Sequence, residues 1–268
     1  MPLSEPGTAR STPPARKRPG KRRMQVALPE PGLSMDQDAE WCVVEINGTW
    51  RRVRFHDYCE IYKIPGLYER LFYRILRCQS PSVVRGLLEK ELRNAGQDPG
   101  ELSVLDLGAG NGMVGEQLSE LDVKRIVGVD IIQEAADAAR RDRPGTYDEY
   151  LVADFTRLDR KRHAWLETFK FNCLTCVAAL GFGDIPPLAF AEAFNLIEDG
   201  GWVALNIKEG FLDERDDNTG FSRLIRRSVQ SGILSIRTQQ RYEHRLATNG
   251  EPLYYVALIG TKNRDMPL

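Results

Sequence analysis

Between residues 102 and 207 the sequence alternates short apolar runs with stretches of helical spacing, and this alternation constrains the fold more than any other feature. The runs at 102–107, 125–129, 149–153, 171–178 and 201–207 read as strands. Between them Val114, Leu118 and Leu121, then Ile132, Ala135, Ala136 and Ala139, then Phe190, Ala193, Phe194 and Ile197 recur at helical intervals. Strands joined through helices run parallel, and a parallel sheet needs both of its faces covered. After a further helix around 219–230 the pattern changes: two long strand-like runs, 233–246 and 252–261, flank Asn249-Gly250, a dipeptide suited to a tight hairpin. The expected fold is α/β, a doubly wound, seven-stranded, mostly parallel sheet closed by a C-terminal antiparallel hairpin.

The segment before this sheet reads as a cap. Two apolar-containing runs from Trp41 to Phe55 flank Asn47-Gly48 and predict a β-hairpin. Tyr68, Leu71, Phe72 and Ile75 then fall on one helical face, and a second helix starts with Ser80 as its cap and Pro81 at its first position, stopping near Gly96. Residues 1–38 are rich in Pro, Arg, Ser and Gly and lack periodicity, so they are expected to be disordered. The domain reading is a basic tail over 1–38, a hairpin and helical cap over 39–96, and an α/β domain over 97–263.

Charge divides the chain in the same place. Residues 1–23 carry seven basic side chains against the single acid Glu5, so the net charge of −1 conceals an acidic body. Such a body is a poor match for a phosphate backbone, which argues against nucleic acid as the partner of the folded part. The run 15–23 can still act as an import signal or a tether, or simply be a solvated tail. No segment has the roughly 20 consecutive apolar residues of a membrane span, and no apolar leader is seen. Five cysteines without framework spacing favour a reducing compartment, so a cytoplasmic location is expected. Cys173 and Cys176 lie three apart on a strand and face opposite sides, so they are not expected to share a metal ion.

The chemistry concentrates at the first strand of the sheet. Ser103 to Leu107 leads into Gly108-Ala109-Gly110-Asn111-Gly112 and a helical pattern. In a strand-turn-helix unit the ligand lies beyond the carboxyl ends of the strands, and glycines let the main chain bend sharply and approach it closely. The second strand ends in Asp130, where a carboxylate can accept both hydroxyls of a ribose. The third ends Val152-Ala153-Asp154-Phe155, a carboxylate for an adenine amino group with a ring to pack on the base. Gly110-x-Gly112-x-x-Gly115 also spells a dinucleotide fingerprint. In that pattern, however, the first glycine follows the strand directly, which here is Gly108, and Met113 then stands where the third glycine belongs. Asp106 would also repel a pyrophosphate, whereas it suits the ammonium of a methionyl group.

From Val104 to Ile259 the sequence resembles the class I, Rossmann-like S-adenosylmethionine-dependent methyltransferases. The resemblance rests on Asp-x-Gly-x-Gly-x-Gly at 106–112, the acid closing strand two, Ala-Asp-Phe closing strand three, Asp199-Gly200-Gly201-Trp202 before strand five, and the terminal hairpin. It implies S-adenosylmethionine as cofactor. Gly108 and Gly110 would touch its methionyl part through their backbone, and Asp106 would orient the ammonium directly or through water. Asp130 would bind the ribose, Ile131 would pack on the adenine, and Asp154 would bond the adenine with Phe155 alongside. A strand-tip Asp can instead simply cap the following turn.

The acceptor is less legible. Val177-Ala178-Ala179-Leu180-Gly181 and Pro186 loosely resemble small-molecule members, and the late Asp184-Ile185-Pro186-Pro187-Leu188 has a leucine where nucleobase enzymes carry a stacking aromatic. A small-molecule acceptor is therefore expected, with a protein or RNA acceptor and a non-catalytic cofactor-binding subunit as the other readings. If a proton must leave the acceptor, His56, Tyr58, Tyr62, Asp184 and Lys208 are the groups the sequence offers.

Overall fold

A computed structural model describes residues 24–30, 35–180, 183–212 and 219–268. The basic run 1–23 and Gly181 lie outside the described residues, and with them the readings of an unstructured tether and of the 177–181 stretch as a whole.

The main sheet is built from β4 (Ser103–Leu107), β5 (Arg125–Asp130), β6 (Glu149–Val152), β7 (Cys173–Leu180), β8 (Trp202–Lys208), β9 (Leu234–Leu246) and β10 (Pro252–Lys262). Its order is β6-β5-β4-β7-β8-β10-β9. The first five strands pair in parallel, and β10 runs antiparallel to both β8 and β9. The seven-stranded fold read from the sequence is thus the fold observed. Helices α3 (Met113–Ser119), α4 (Gln133–Asp142), α5 (Arg160–Glu167), α6 (Pro187–Asn195) and α7 (Phe221–Gln230) alternate with the strands. Because successive residues of a strand point to opposite faces, Leu105 joins a core with Val127, Leu174, Phe190, Phe194 and Leu205, while its neighbour Val104 joins the opposite core with Ile126, Trp202 and Ala204. Cys173 and Cys176 divide between these two cores in the same way.

The strand order reverses between β4 and β7, so the chain leaves those two neighbouring strands in opposite directions and opens a crevice at their carboxyl ends. Over this crevice sits the cap. It consists of β1 (Val26–Ala27), β2 (Trp41–Ile46), β3 (Thr49–Arg54) and α1 (Tyr58–Lys63), followed by a turn of π-helix at Glu69–Ile75. Cys42, Val44, Phe55, Ile61, Leu67, Leu71 and Leu76 form its own core.

Four expectations need correction here. Residues 24–30 do not belong to a structureless tail, because Val26 and Ala27 pair with Val44 and Val43 and extend the hairpin to three strands. The stretch around Tyr68 to Ile75 winds wider than an α-helix, with the Leu76 N–H donating to the Leu71 carbonyl at 2.9 Å. Helix α2 (Ser80–Asn94) is not part of the cap: its stripe Val84, Leu87, Leu88 and Leu92 buries against Val104, Cys173 and Trp202 on the sheet, so the cap ends before Ser80. Ser80 itself is no helix cap. It is fully buried, its Oγ 2.6 Å from both Tyr242 Oη and His244 Nδ1, and it accepts from Asn206 Nδ2 at 2.9 Å.

The cap is fastened to the end of β9. Glu40, buried, accepts from the Arg245 guanidinium at 2.5 Å and from the Thr248 N–H at 2.6 Å. Backbone bonds from Gln79 N–H to the His244 carbonyl and from Leu246 N–H to the Leu76 carbonyl complete the seam.

Candidate active site and cofactor cleft

The turn after β4 passes through three positive φ values, 73° at Gly108, 55° at Gly110 and 89° at Gly112, a path that side-chain-bearing residues rarely follow. Space matters as much as angle. A Cβ on Gly108 would lie 2.8 Å from the Ala179 Cβ, and one on Gly110 would lie 2.5 Å from the Tyr62 hydroxyl. Gly115, the third glycine of the dinucleotide reading, serves a different purpose: it lets Tyr147 and Thr146 pack against α3.

The turn forms one wall of a cavity of about 250 Å3. Gly108 to Asn111 from β4, Asp130 and Ile131 from β5, and Asp154 and Phe155 from β6 line it in succession. Tyr58, Tyr62 and Tyr68 from the cap face them, their rings in contact in sequence, with centroids 6.1 Å and 5.2 Å apart. Burial pushes the phenols of Tyr58 and Tyr62 well above the ordinary tyrosine range, so both stay protonated at neutral pH.

Each residue singled out in the sequence has a definite place. Asp130 Oδ2 accepts from the Gly110 N–H at 3.0 Å and Oδ1 from the Ile132 N–H at 3.0 Å, which fixes its carboxylate at the cleft with lone pairs to spare. Burial raises its pKa, and those backbone bonds act against the rise. Ile131 is 61% exposed at the strand tip and presents an apolar side chain to the cavity. Phe155 is buried in the wall beside it.

The N–H groups of Gly108 and Gly110 do not point into the cleft. The first donates to the Val129 carbonyl at 2.9 Å and the second to Asp130, so the glycines offer close approach of bare main chain. Asp154 acts as the cap of the short turn Phe155–Arg157, its Oδ1 accepting from the N–H and Oγ1 of Thr156 at 2.9 and 2.7 Å, and these bonds hold its pKa below the usual carboxylate value. It lines the cavity as well.

Of the two routes expected for Asp106, directly to the ammonium or through water, its placement closes the direct one. It is buried behind the turn and does not line the cavity; Oδ1 accepts from Thr175 Oγ1 and Oδ2 from Tyr147 Oη, each at 2.7 Å. Burial raises its pKa to about 6 even against those two donors. A carboxyl so enclosed braces β4 against β7 and the 147–150 segment and has no direct path to an ammonium.

Asn111 went unnoticed in the sequence, where it stood as one of the variable positions between glycines. It is buried in the cleft wall and its Nδ2 has no hydrogen-bond partner. A buried, unused donor beside a glycine cradle suits an anionic or carbonyl oxygen of a ligand. The arrangement as a whole fits S-adenosylmethionine: bare main chain and an amide donor for the methionyl end, a carboxylate for the ribose, and Ile131 and Phe155 for the base.

Among the groups considered as bases, the fold brings four to the cavity and leaves one away. His56, Tyr58, Tyr62 and Asp184 line it, and Lys208 does not. His56 Nδ1 stands 3.4 Å from Asp184 Oδ2, although the two residues are 128 positions apart. Asp184 stands two residues before Pro186, the cap of α6.

Comparison with known proteins agrees with this geometry. Residues 105–205 match the family described as a methyltransferase domain. No curated protein matches the chain. Among solved structures it is similar to magnesium protoporphyrin IX methyltransferase from Synechocystis PCC 6803 with bound S-adenosylmethionine, at 17% identity over 68% of this chain and 79% of that one, with a TM-score of 0.48. It is also similar to an S-adenosylmethionine-dependent methyltransferase from Clostridium acetobutylicum ATCC 824, at 13% identity over 74% and 97% of the chains and a TM-score of 0.48. A third, from Mesorhizobium loti, gives 15% identity, 67% and 100% coverage and a TM-score of 0.45. Residues 105–205 thus read as a methyltransferase domain within the longer chain.

Proposed function

We propose that the protein transfers the methyl group of S-adenosylmethionine to a small molecule. The observation that carries this is the closure of the acceptor end. Beyond the cofactor cleft the space narrows to a side chamber of about 40 Å3, walled by the cap on one side and by the ends of β7, β9 and β10 on the other. That volume admits a functional group or a few waters, whereas an extended peptide or a nucleotide strand needs an open groove. Among the described residues no helix is long and apolar enough to cross a membrane.

S-adenosylmethionine, when bound, supplies an activated methyl group for in-line displacement. The chain's own part is alignment and exclusion of water. Asp130 would hold the ribose and Asn111 the methionyl end of the cofactor, and Tyr58, Tyr62 and Tyr68 would cover it. Alignment of this kind is worth up to ~7–11 kcal/mol of a bimolecular barrier.

Calorimetric titration with S-adenosylhomocysteine tests the site. Asp130→Ala and Asn111→Ala should each weaken binding at least tenfold, about 1.4 kcal/mol, since each removes a buried polar partner. Undiminished affinity in both variants would overturn the assignment. Partitioning transferred label between small-molecule and macromolecular fractions tests the acceptor class, with label expected in the former.

A further inference from the structure

Gly112, the third glycine of the turn, does not line the cofactor cavity, so its place in the sequence calls for a reason other than the ligand. That reason lies behind the turn. A Cβ at Gly112 would stand 3.2 Å from the Tyr147 ring and 3.3 Å from Cδ of Arg143, so bare main chain is the bed along which the arginine stem lies.

Arg143 closes the last turn of α4 and is 8% exposed. Its guanidinium reaches three separate elements. Nε donates to Glu116 Oε2 at 2.9 Å, Nη1 donates to the Asn111 carbonyl at 3.2 Å, and Nη2 pairs with Glu69 Oε1 at 2.7 Å and touches Met113 Sδ. Glu69 opens the π-helical turn of the cap, Asn111 belongs to the cofactor turn, and Glu116 lies on the helix that follows it. A planar fork with donors at fixed angles holds three such acceptors at once, a geometry that the compact ammonium of a lysine does not reproduce. Two residues earlier, Arg141 donates to the Tyr62 carbonyl at 2.9 Å, and the hydroxyl of that tyrosine rests on Gly110. The end of α4 therefore grips the cap at two points.

Arg143 does not itself line the cavity, so it acts on a ligand only through the groups it holds. Of these, Asn111 and Met113 line the cavity, and Asn111 brings the buried Nδ2 donor that has no partner within the fold. A guanidinium buried to this degree depends on its carboxylates, because losing one leaves its charge poorly compensated. One of the two carboxylates belongs to the cap.

Resting on the reading that S-adenosylmethionine fills the cleft with its methionyl end at Asn111, we infer that Arg143 is a positioning residue for the cofactor. It holds the Asn111 amide in place through the backbone carbonyl, and Glu69 makes that hold depend on the seating of the cap. When Glu69 withdraws, the fork loses an anchor, the Asn111 peptide is loosened, and the amide at the methionyl end loses its aim. The coupling is reciprocal: a methionyl group that fixes Asn111 favours the cap contact by the same factor.

The test is a set of double-mutant cycles on the full chain, read by calorimetric titration with S-adenosylhomocysteine. Arg143→Lys keeps the charge and loses the fork, and it should weaken binding about tenfold, the effect of one lost charge-assisted hydrogen bond. Because that effect passes through Asn111, the same substitution beside Asn111→Ala should weaken binding further by less than about twofold. Glu69→Ala changes the cap at a residue that does not line the cavity and leaves the guanidinium paired with Glu116. It should weaken binding about fivefold alone and less than about twofold beside either Arg143→Lys or Asn111→Ala, so the cycle stands even where Arg143→Lys does not fold. In 15N spectra the Asn111 side-chain amide should give one sharp bound signal in the wild type and a broadened one in Glu69→Ala. A penalty that persists in full beside Asn111→Ala marks a clamp that serves stability alone and overturns the inference, as does wild-type affinity in both Arg143→Lys and Glu69→Ala. Wild-type affinity in Asn111→Ala removes the placement of the methionyl end, and the inference with it, while no binding of S-adenosylhomocysteine by the wild type overturns the cofactor reading beneath both.

Discussion

A carboxyl group sealed behind the cofactor turn is the most unusual residue of the fold. Asp106 has a folded pKa near 6 because burial outweighs the hydroxyls of Thr175 and Tyr147. In the unfolded chain its pKa is the ordinary one near 3.8. Its folded value is thus the higher of the two, so its contribution to stability is fully present below about pH 4 and is lost as pH rises through about 6. In the cofactor-free protein, urea denaturation at pH 5 and pH 8 should show wild type losing about 1.4 kcal/mol more than Asp106→Asn across that interval. Parallel pH dependences in the two proteins would refute this. The same residue shows how far a motif can be read. Its identity was plain in the sequence, but its direction was not, because whether a strand-end carboxylate turns toward a ligand or toward Thr175 is decided by a partner 69 positions away. The position of Asp130 at the cleft was legible because its partners, Gly110 and Ile132, belong to the same strand-turn unit. Asn111 was passed over because an unpaired donor is a property of surroundings alone.

At the scale of elements, the sheet was legible because each strand and helix carries its own periodicity, and all seven strands lie within two residues of where the apolar runs place them. The cap was legible only where its signals are local. Asn47-Gly48 gave the hairpin turn, with φ values of 53° and 85°, but nothing within Val26-Ala27 announces a third strand. Helix α2 was assigned to the cap because amphipathic spacing does not name the surface it will face. Neither does it reveal the seam at Glu40. Breaking one partner of a buried ion pair leaves the other charge uncompensated and costs about 3–5 kcal/mol. Glu40→Gln keeps an acceptor for the Thr248 N–H but removes the charge facing Arg245. Hydrogen exchange should then speed up at residues 42–54 ahead of β4 and β8, with acceptor turnover falling more than cofactor affinity. Uniform acceleration over cap and sheet would mean that the two unfold as one body. The loop of the sheet nearest this seam carries strain of its own: Ala178 holds a φ of 55°, its N–H donating to Asn206 Oδ1 at 2.6 Å, and β7 slips register there. That bulge turns Ala178 and Ala179 into the wall shared by both cavities.

For the molecule as a whole, cap and sheet domain meet at the crevice, at the seam and along α1 and α4, where Arg141 donates to the Tyr62 carbonyl at 2.9 Å and Glu69 pairs with Arg143. A ligand touching both the turn at 108–111 and the tyrosines of the cap stabilises their union in proportion to the logarithm of its concentration. At 100 times its Kd, S-adenosylhomocysteine should contribute about 2.7 kcal/mol, raising Tm and slowing exchange in the cap and the sheet together. Protection limited to the sheet would mean that the cap does not touch the cofactor. The hydroxyl of Tyr62, resting against Gly110, adds a matter of timing. That contact sets the cap over the cofactor turn, and His56, Tyr58, Tyr68, Ala178, Ala179 and Asp184 line both the cavity and the side chamber, so a bound cofactor would form the chamber's wall on that side. Because a bound cofactor completes that wall, the cofactor is expected to enter first and its spent form to leave last. In steady-state kinetics the spent cofactor should compete with S-adenosylmethionine and act as a mixed inhibitor toward the acceptor.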